Sequence, residues 1–155
     1  MDTFLNALST WLHALATIVM IGYYLFTCLI FLPIFEGQVQ GTALREMLGL
    51  VSNRLRPYFG GSLLIFLITG TYLMMINEKY LGLGQFFGNT WSILIVIKHV
   101  VVLAFLALAI YSERVFLGRI RDGNPRGLTQ YRRALNITLY LGLFILLLTS
   151  IAQAA

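Results

Sequence analysis

Four apolar stretches, read at about Phe4–Leu32, Tyr58–Ile76, Trp91–Phe116 and Arg133–Ile151, occupy most of this chain. Each is close to the roughly 20 residues that cross a bilayer as a helix. Inside hydrocarbon the backbone N–H and C=O groups find no water, so they must bond within their own segment or in a closed barrel. The runs are unbroken rather than alternating, which selects helices over barrel strands. With 59% hydrophobic and 11% charged residues, an ordinary soluble surface is excluded. The expected fold is all-α and integral to the membrane: an antiparallel bundle of four transmembrane helices forming one domain over residues 1–155.

The net charge of +5 reads as topology. Arg45, Arg54 and Arg56 sit in the first connection, and Arg114, Arg119, Arg121, Arg126, Arg132 and Arg133 in or beside the third, whereas the opposite side offers only Lys79. Basic loops stay in the cytoplasm, so both termini are expected outside it, with the chain multi-pass in a bacterial cytoplasmic (inner) membrane. The same arginines would attract anionic headgroups, and no nucleic-acid partner is implied. The first stretch lacks a basic leader and is too long for a signal-peptide core, so a retained helix is expected. Cys28 is the only cysteine, which excludes an intrachain disulfide and any multi-cysteine metal site.

Local punctuation is consistent with this plan. Pro33 is expected to end or kink the first helix and Pro57 to open the second. Thr42–Asn53 reads as a short interfacial helix. Asn89 or Thr90 is the expected N-cap of the third helix, and Asp122-Gly123-Asn124-Pro125 a turn.

The first stretch also carries a polar stripe. Asn6, Thr10, His13, Thr17, Met20, Tyr24 and Thr27 follow at alternating spacings of four and three, which puts them on one helix face, expected to look into the bundle. His13 and His99 are the only histidines. His13 lies eight residues after Leu5 and His99 eight after Trp91, roughly 12 Å along each axis at 1.5 Å per residue. Helices one and three run in the same direction, so the imidazoles reach one level on diagonal helices. An ionisable residue at such depth marks a functional site. Two imidazoles across an apolar bundle suit a b-type haem with two axial histidines. Lys98 would pair a propionate, Thr17 line the pocket, and Met20 and Tyr72 pack on the macrocycle. The rival ligand is copper, held by His13 and Met20 with Met74 or Met75 approaching, a soft nitrogen and sulfur set. Zinc hydrolysis lacks a third ligand at that level.

Trp11-Leu12-His13, an Arg before the second helix, Thr69-Gly70 within it, Ile97-Lys98, and Glu113-Arg114 closing the third helix resemble the copper-resistance protein D family of membrane domains. His13, Gly22-Tyr23-Tyr24-Leu25, Leu32-Pro33 and Lys98 are also similar to the four-helix protoporphyrinogen oxidase family, in which a first-helix His and a third-helix Lys matter and haem is thought to bind. The chain continues Ile34-Phe35-Glu36 where that family has an Arg and an aromatic-His pair. These resemblances imply haem or copper handling beside a redox or copper-binding protein partner; a homo-oligomer and a subunit of a larger complex both stay open. Four functions follow as expectations. They are a haem protein of membrane electron transfer or haem handling, a copper-handling protein, a cofactor-free accessory subunit, and a porphyrinogen-oxidising enzyme. A redox carrier or accessory protein is favoured over an enzyme.

Overall fold

In the computed structural model, residues 2–38, 42–82, 84–85, 87–122, 124 and 126–154 are described. Helix α1 (Asp2–Phe26) runs through a π-helical turn, Thr27–Phe31, into α2 (Leu32–Gln38). Helix α3 spans Thr42–Met75. Helix α4 (Thr90–Tyr111) continues through a second π-helical turn, Ser112–Phe116, into α5 (Leu117–Arg121), and α6 spans Gly127–Ala154. Four stretches are long and apolar enough to cross a membrane: Thr3–Phe35, Glu46–Met75, Thr90–Ile120 and Gly127–Ala154. No strand occurs among the described residues. The all-helical, four-span fold therefore stands.

Several boundaries differ from the expectation. Of the two expectations for Pro33, a helix end or a kink, the end does not occur: the helix runs on through an irregular π-helical turn to Gln38. The N–H of Leu32 bonds to the carbonyl of Thr27, so the turn just before the proline is widened. A widened turn re-satisfies backbone groups that a proline disturbs. Pro57 does not open α3 either; the helix passes straight through it from Thr42. The separate interfacial helix expected over Thr42–Asn53 is thus the first part of α3, continuous with the second span. Leu44, Leu48 and Ser52 are all buried, and that four-residue recurrence packs the early part of α3 against the bundle. The third span runs on to Ile120, and the fourth begins at Gly127, earlier than Arg133. Gly123 and Pro125 of the anticipated turn lie outside the described residues.

At the hairpin between α3 and α4, Gly82 adopts φ +92°, a conformation that costs a residue with a Cβ more than a glycine. Asn89 is the N-cap of α4: its side chain accepts from the N–H of Ser92 at 2.7 Å and donates to the carbonyl of Lys79 at 2.9 Å. One amide thus fixes both the helix start and the hairpin.

Helix α1 packs chiefly on α3, α4 chiefly on α6, and α1 also touches α6. The second and third spans meet mainly where α3 reaches α5. The bundle is closed on three sides and open along the seam between α3 and α4. Its core lies toward the arginine-rich end, where Tyr24, Leu32, Phe105, Leu117, Tyr131 and Leu135 are almost fully buried. The rings of Tyr24 and Phe105 meet edge-on at 5.4 Å, joining the diagonal helices. Gly142 leaves room on α6 for Ile21, whose Cγ1 would be 3.2 Å from an added Cβ.

Candidate functional site

Between residues 50 and 75 only Ser52 and Thr69 of α3 are buried. Both are hydroxyl residues, and each reaches one of two polar centres beside the seam.

Thr69 reaches the first. The Nδ1 of His13 lies 3.0 Å from its Oγ1. That hydroxyl donates its own proton to the carbonyl of Ile65 at 2.6 Å, so toward His13 it is an acceptor and Nδ1 carries the imidazole hydrogen. His99 has the same tautomer for a different reason: its Nδ1 is 2.7 Å from the carbonyl of Ile95, and a carbonyl only accepts. Both histidines therefore keep a lone pair on Nε2. A hydrogen bond from the other ring nitrogen is the arrangement that orients a ligating imidazole.

The His13 ring is also fixed sterically. It stacks on Phe66 with centroids 4.4 Å apart and planes 22° from parallel. Gly70 also borders the ring: an added Cβ there would stand 2.9 Å from its Cε1. Thr17 donates to the His13 carbonyl at 2.7 Å.

His13, Lys98 and His99 line one cleft of about 540 Å³ toward the terminus-bearing end. Phe66, Gly70, Met74 and Val102 supply much of its apolar wall, and Lys79, Glu78 and Gln153 add polar groups. The structure thus brings both histidines, the lysine of the third span and Met74 to one space. Three other expected site residues lie elsewhere. Met20 is buried in the core. Thr17 is tied to the backbone of α1. The hydroxyl of Tyr72 donates to Asn6 at 2.7 Å. None of the three lines the cleft. Met75 is exposed. The inward stripe of α1 holds for His13, Met20, Tyr24 and Thr27, while Thr10 is exposed and bonds back to Asn6. Among the described residues no group of three or more His, Cys, Asp or Glu is placed to hold a metal ion.

Ser52 reaches the second centre, which composition alone does not flag. The Glu113 carboxylate stands in the π-helical turn of the third span. It accepts from Tyr23 of α1 at 2.8 Å, from Tyr131 of α6 at 3.3 Å and from Ser52 of α3, and lies 3.9 Å from Arg56. All four spans thus converge on one carboxylate. The sequence signal was present: an acid toward the end of an apolar run, a tyrosine and a serine near other span starts, and a tyrosine within the first span. No periodicity links residues on four different helices, so only the fold assembles them. Tyr23, Ser52, Arg56, Glu113 and Arg114 help line a second cleft of about 260 Å³.

A family model described as Copper resistance protein D matches residues 49–152. The chain belongs to that family. No curated protein and no solved structure matches it. The copper resistance protein D match spans the last three membrane segments and takes in Thr69, Lys98, His99 and Glu113, whereas His13 lies before it. As a member of that family with four apolar helices, the chain is a multi-pass membrane protein.

Proposed function

We propose that the larger cleft holds a b-type haem between His13 and His99, and that the chain serves membrane electron transfer or haem handling. The observation that carries this reading is the pair of Nε2 lone pairs on two imidazoles lining one cleft, each with Nδ1 bonded to an oxygen. The cleft fits a macrocycle better than a bare ion: about 540 Å³ greatly exceeds what a single metal ion needs. Lys98 forms no ion pair among the described residues, and with Lys79 it offers cations to two propionates. Such a haem supplies one-electron chemistry at its iron. His13 and His99 would hold it, Phe66 and Gly70 would set the angle of the His13 ring, and the apolar wall would keep water away.

Copper is the second reading, favoured by two observations. The family is that of copper resistance protein D, and Met74 lines the same cleft as both histidines, giving a nitrogen and sulfur set suited to Cu(I).

Absorption spectra of the detergent-purified chain, oxidised and reduced, with metal analysis on the same sample, separate the readings. Sharp reduced α and β bands that vanish in His13→Ala and His99→Ala support haem; bands unchanged in both variants refute it. Copper bound without haem supports the second reading. A colourless, metal-free protein from haem-replete cells leaves the cofactor-free accessory subunit, and complementation of a strain lacking the step identifies a porphyrinogen oxidase.

The arginine distribution supports termini outside the cytoplasm; a bacterial inner membrane, residues 1–155 as one unit, and a redox or copper-binding partner complete the proposed reading. Accessibility of cysteines introduced at residues 3 and 126 to an impermeant reagent tests this orientation.

A further inference from the structure

We infer that the second cleft, at the arginine-rich end of the seam, is a binding site for the headgroup of an anionic phospholipid. Hydrogen-bond supply and demand point there. Among the described residues that line the cleft the one carboxylate, Glu113, is already satisfied by the hydroxyls of Tyr23, Ser52 and Tyr131. Two guanidiniums line the same space. Arg56 stands 3.9 Å from Glu113 with its side chain 59% exposed, and Arg114 has no ion-pair or hydrogen-bond partner among the described residues. Guanidinium carries N–H donors and no acceptor, in a planar fork that matches phosphate oxygens. The cleft therefore holds donors in excess of acceptors and a surplus of positive charge, which selects an anion. A metal cation is disfavoured, because the hydroxyl hydrogens are already turned toward Glu113.

The rest of the ligand is set by the walls. Phe59 and Ile110 flank the polar groups, and the seam between the second and third spans opens sideways, since these spans meet mainly at α5. An occupant with an anionic head among the arginines has a path for hydrocarbon beside it. The arginines of the chain cluster in sequence around the two connections on this side of the bundle, the level at which basic pockets between transmembrane helices meet phosphate headgroups.

The test uses the full chain in nanodiscs made of zwitterionic lipid with a minor share of phosphatidylglycerol, and counts lipids retained on release by native mass spectrometry. Wild type is expected to keep one phosphatidylglycerol in preference to the zwitterionic lipid. Arg114→Gln, at an exposed side chain with no partner to lose, is expected to reduce that retention about fivefold, and Arg56→Gln similarly. Arg126→Gln with Arg133→Gln, outside the cleft, should leave it unchanged. Equal retention of both lipids, an unaltered count in Arg114→Gln, or an equal loss in the Arg126 and Arg133 control would overturn the proposal. So would displacement of the lipid by inorganic phosphate alone, which would mark a site for the free ion. Should Arg56→Gln fail to fold, the Arg114→Gln comparison still decides.

Discussion

The hydroxyl of Thr69 stands 3.0 Å from Nδ1 of His13 while donating its hydrogen to the carbonyl of Ile65. The threonine can only accept from the imidazole, so a residue on the second span selects the tautomer of a residue on the first.

Removing the acceptor should weaken the cleft's ligand without unfolding the helix. Thr69→Val keeps the shape and deletes the oxygen. Outer-shell partners of ligating histidines are worth roughly 10- to 100-fold in affinity, so haem titration of the purified variant is expected to show a loss in that range, and Thr69→Ser near-normal binding. Equal affinity in wild type and Thr69→Val would show that the bond does not orient the ring.

Gly70 tests the same ring by volume. An alanine Cβ would meet His13 Cε1 at 2.9 Å, and the ring cannot retreat freely because Phe66 stacks on it at 4.4 Å. Overpacking of this kind costs about 1–3 kcal/mol. Gly70→Ala should lower thermal stability in detergent by that order, whereas Gly60→Ala, with open space around it, should not.

Glu113 is the expected weak point of the bundle. In Glu113→Gln one acceptor oxygen becomes an NH₂ that confronts hydroxyl donors, leaving partly buried groups unpaired. Leaving such groups unpaired costs about 1–3 kcal/mol each, against about 1 kcal/mol for Ser52→Ala, which removes a single donor. Denaturation followed by tryptophan fluorescence should rank the two in that order.

At the hairpin, Asn89→Ala should cost about 1 kcal/mol through loss of the α4 cap. Amide exchange at Ser92 should rise with it, because its N–H loses the 2.7 Å acceptor.

What the chain discloses on its own divides by range. The four spans were legible because twenty-residue apolar runs admit few structures. The meeting of His13, Lys98 and His99 at one cleft followed from counting residues along two parallel helices. Thr17, Met20 and Tyr72 were misplaced around that cleft because sharing a helix face does not reveal which neighbour covers each turn. Met20 falls where the core is closed and His13 where the seam is open. Pro57 misled for an energetic reason: its local cost is met by the burial of Leu44, Leu48 and Ser52 upstream, a tertiary gain invisible in a short window. The Glu113 network was hidden because its donors come from residues 23, 52 and 131, separations with no period.

The seam between the second and third spans has a kinetic meaning. Because the seam faces lipid, an amphiphile would reach the arginine-lined cleft by diffusing in the plane of the bilayer and turning in sideways. Its supply is then governed by partitioning into lipid rather than by bulk concentration. Apparent affinities measured in micelles should weaken in proportion to added detergent, because dilution of the apolar phase, not competition for the residues, sets occupancy.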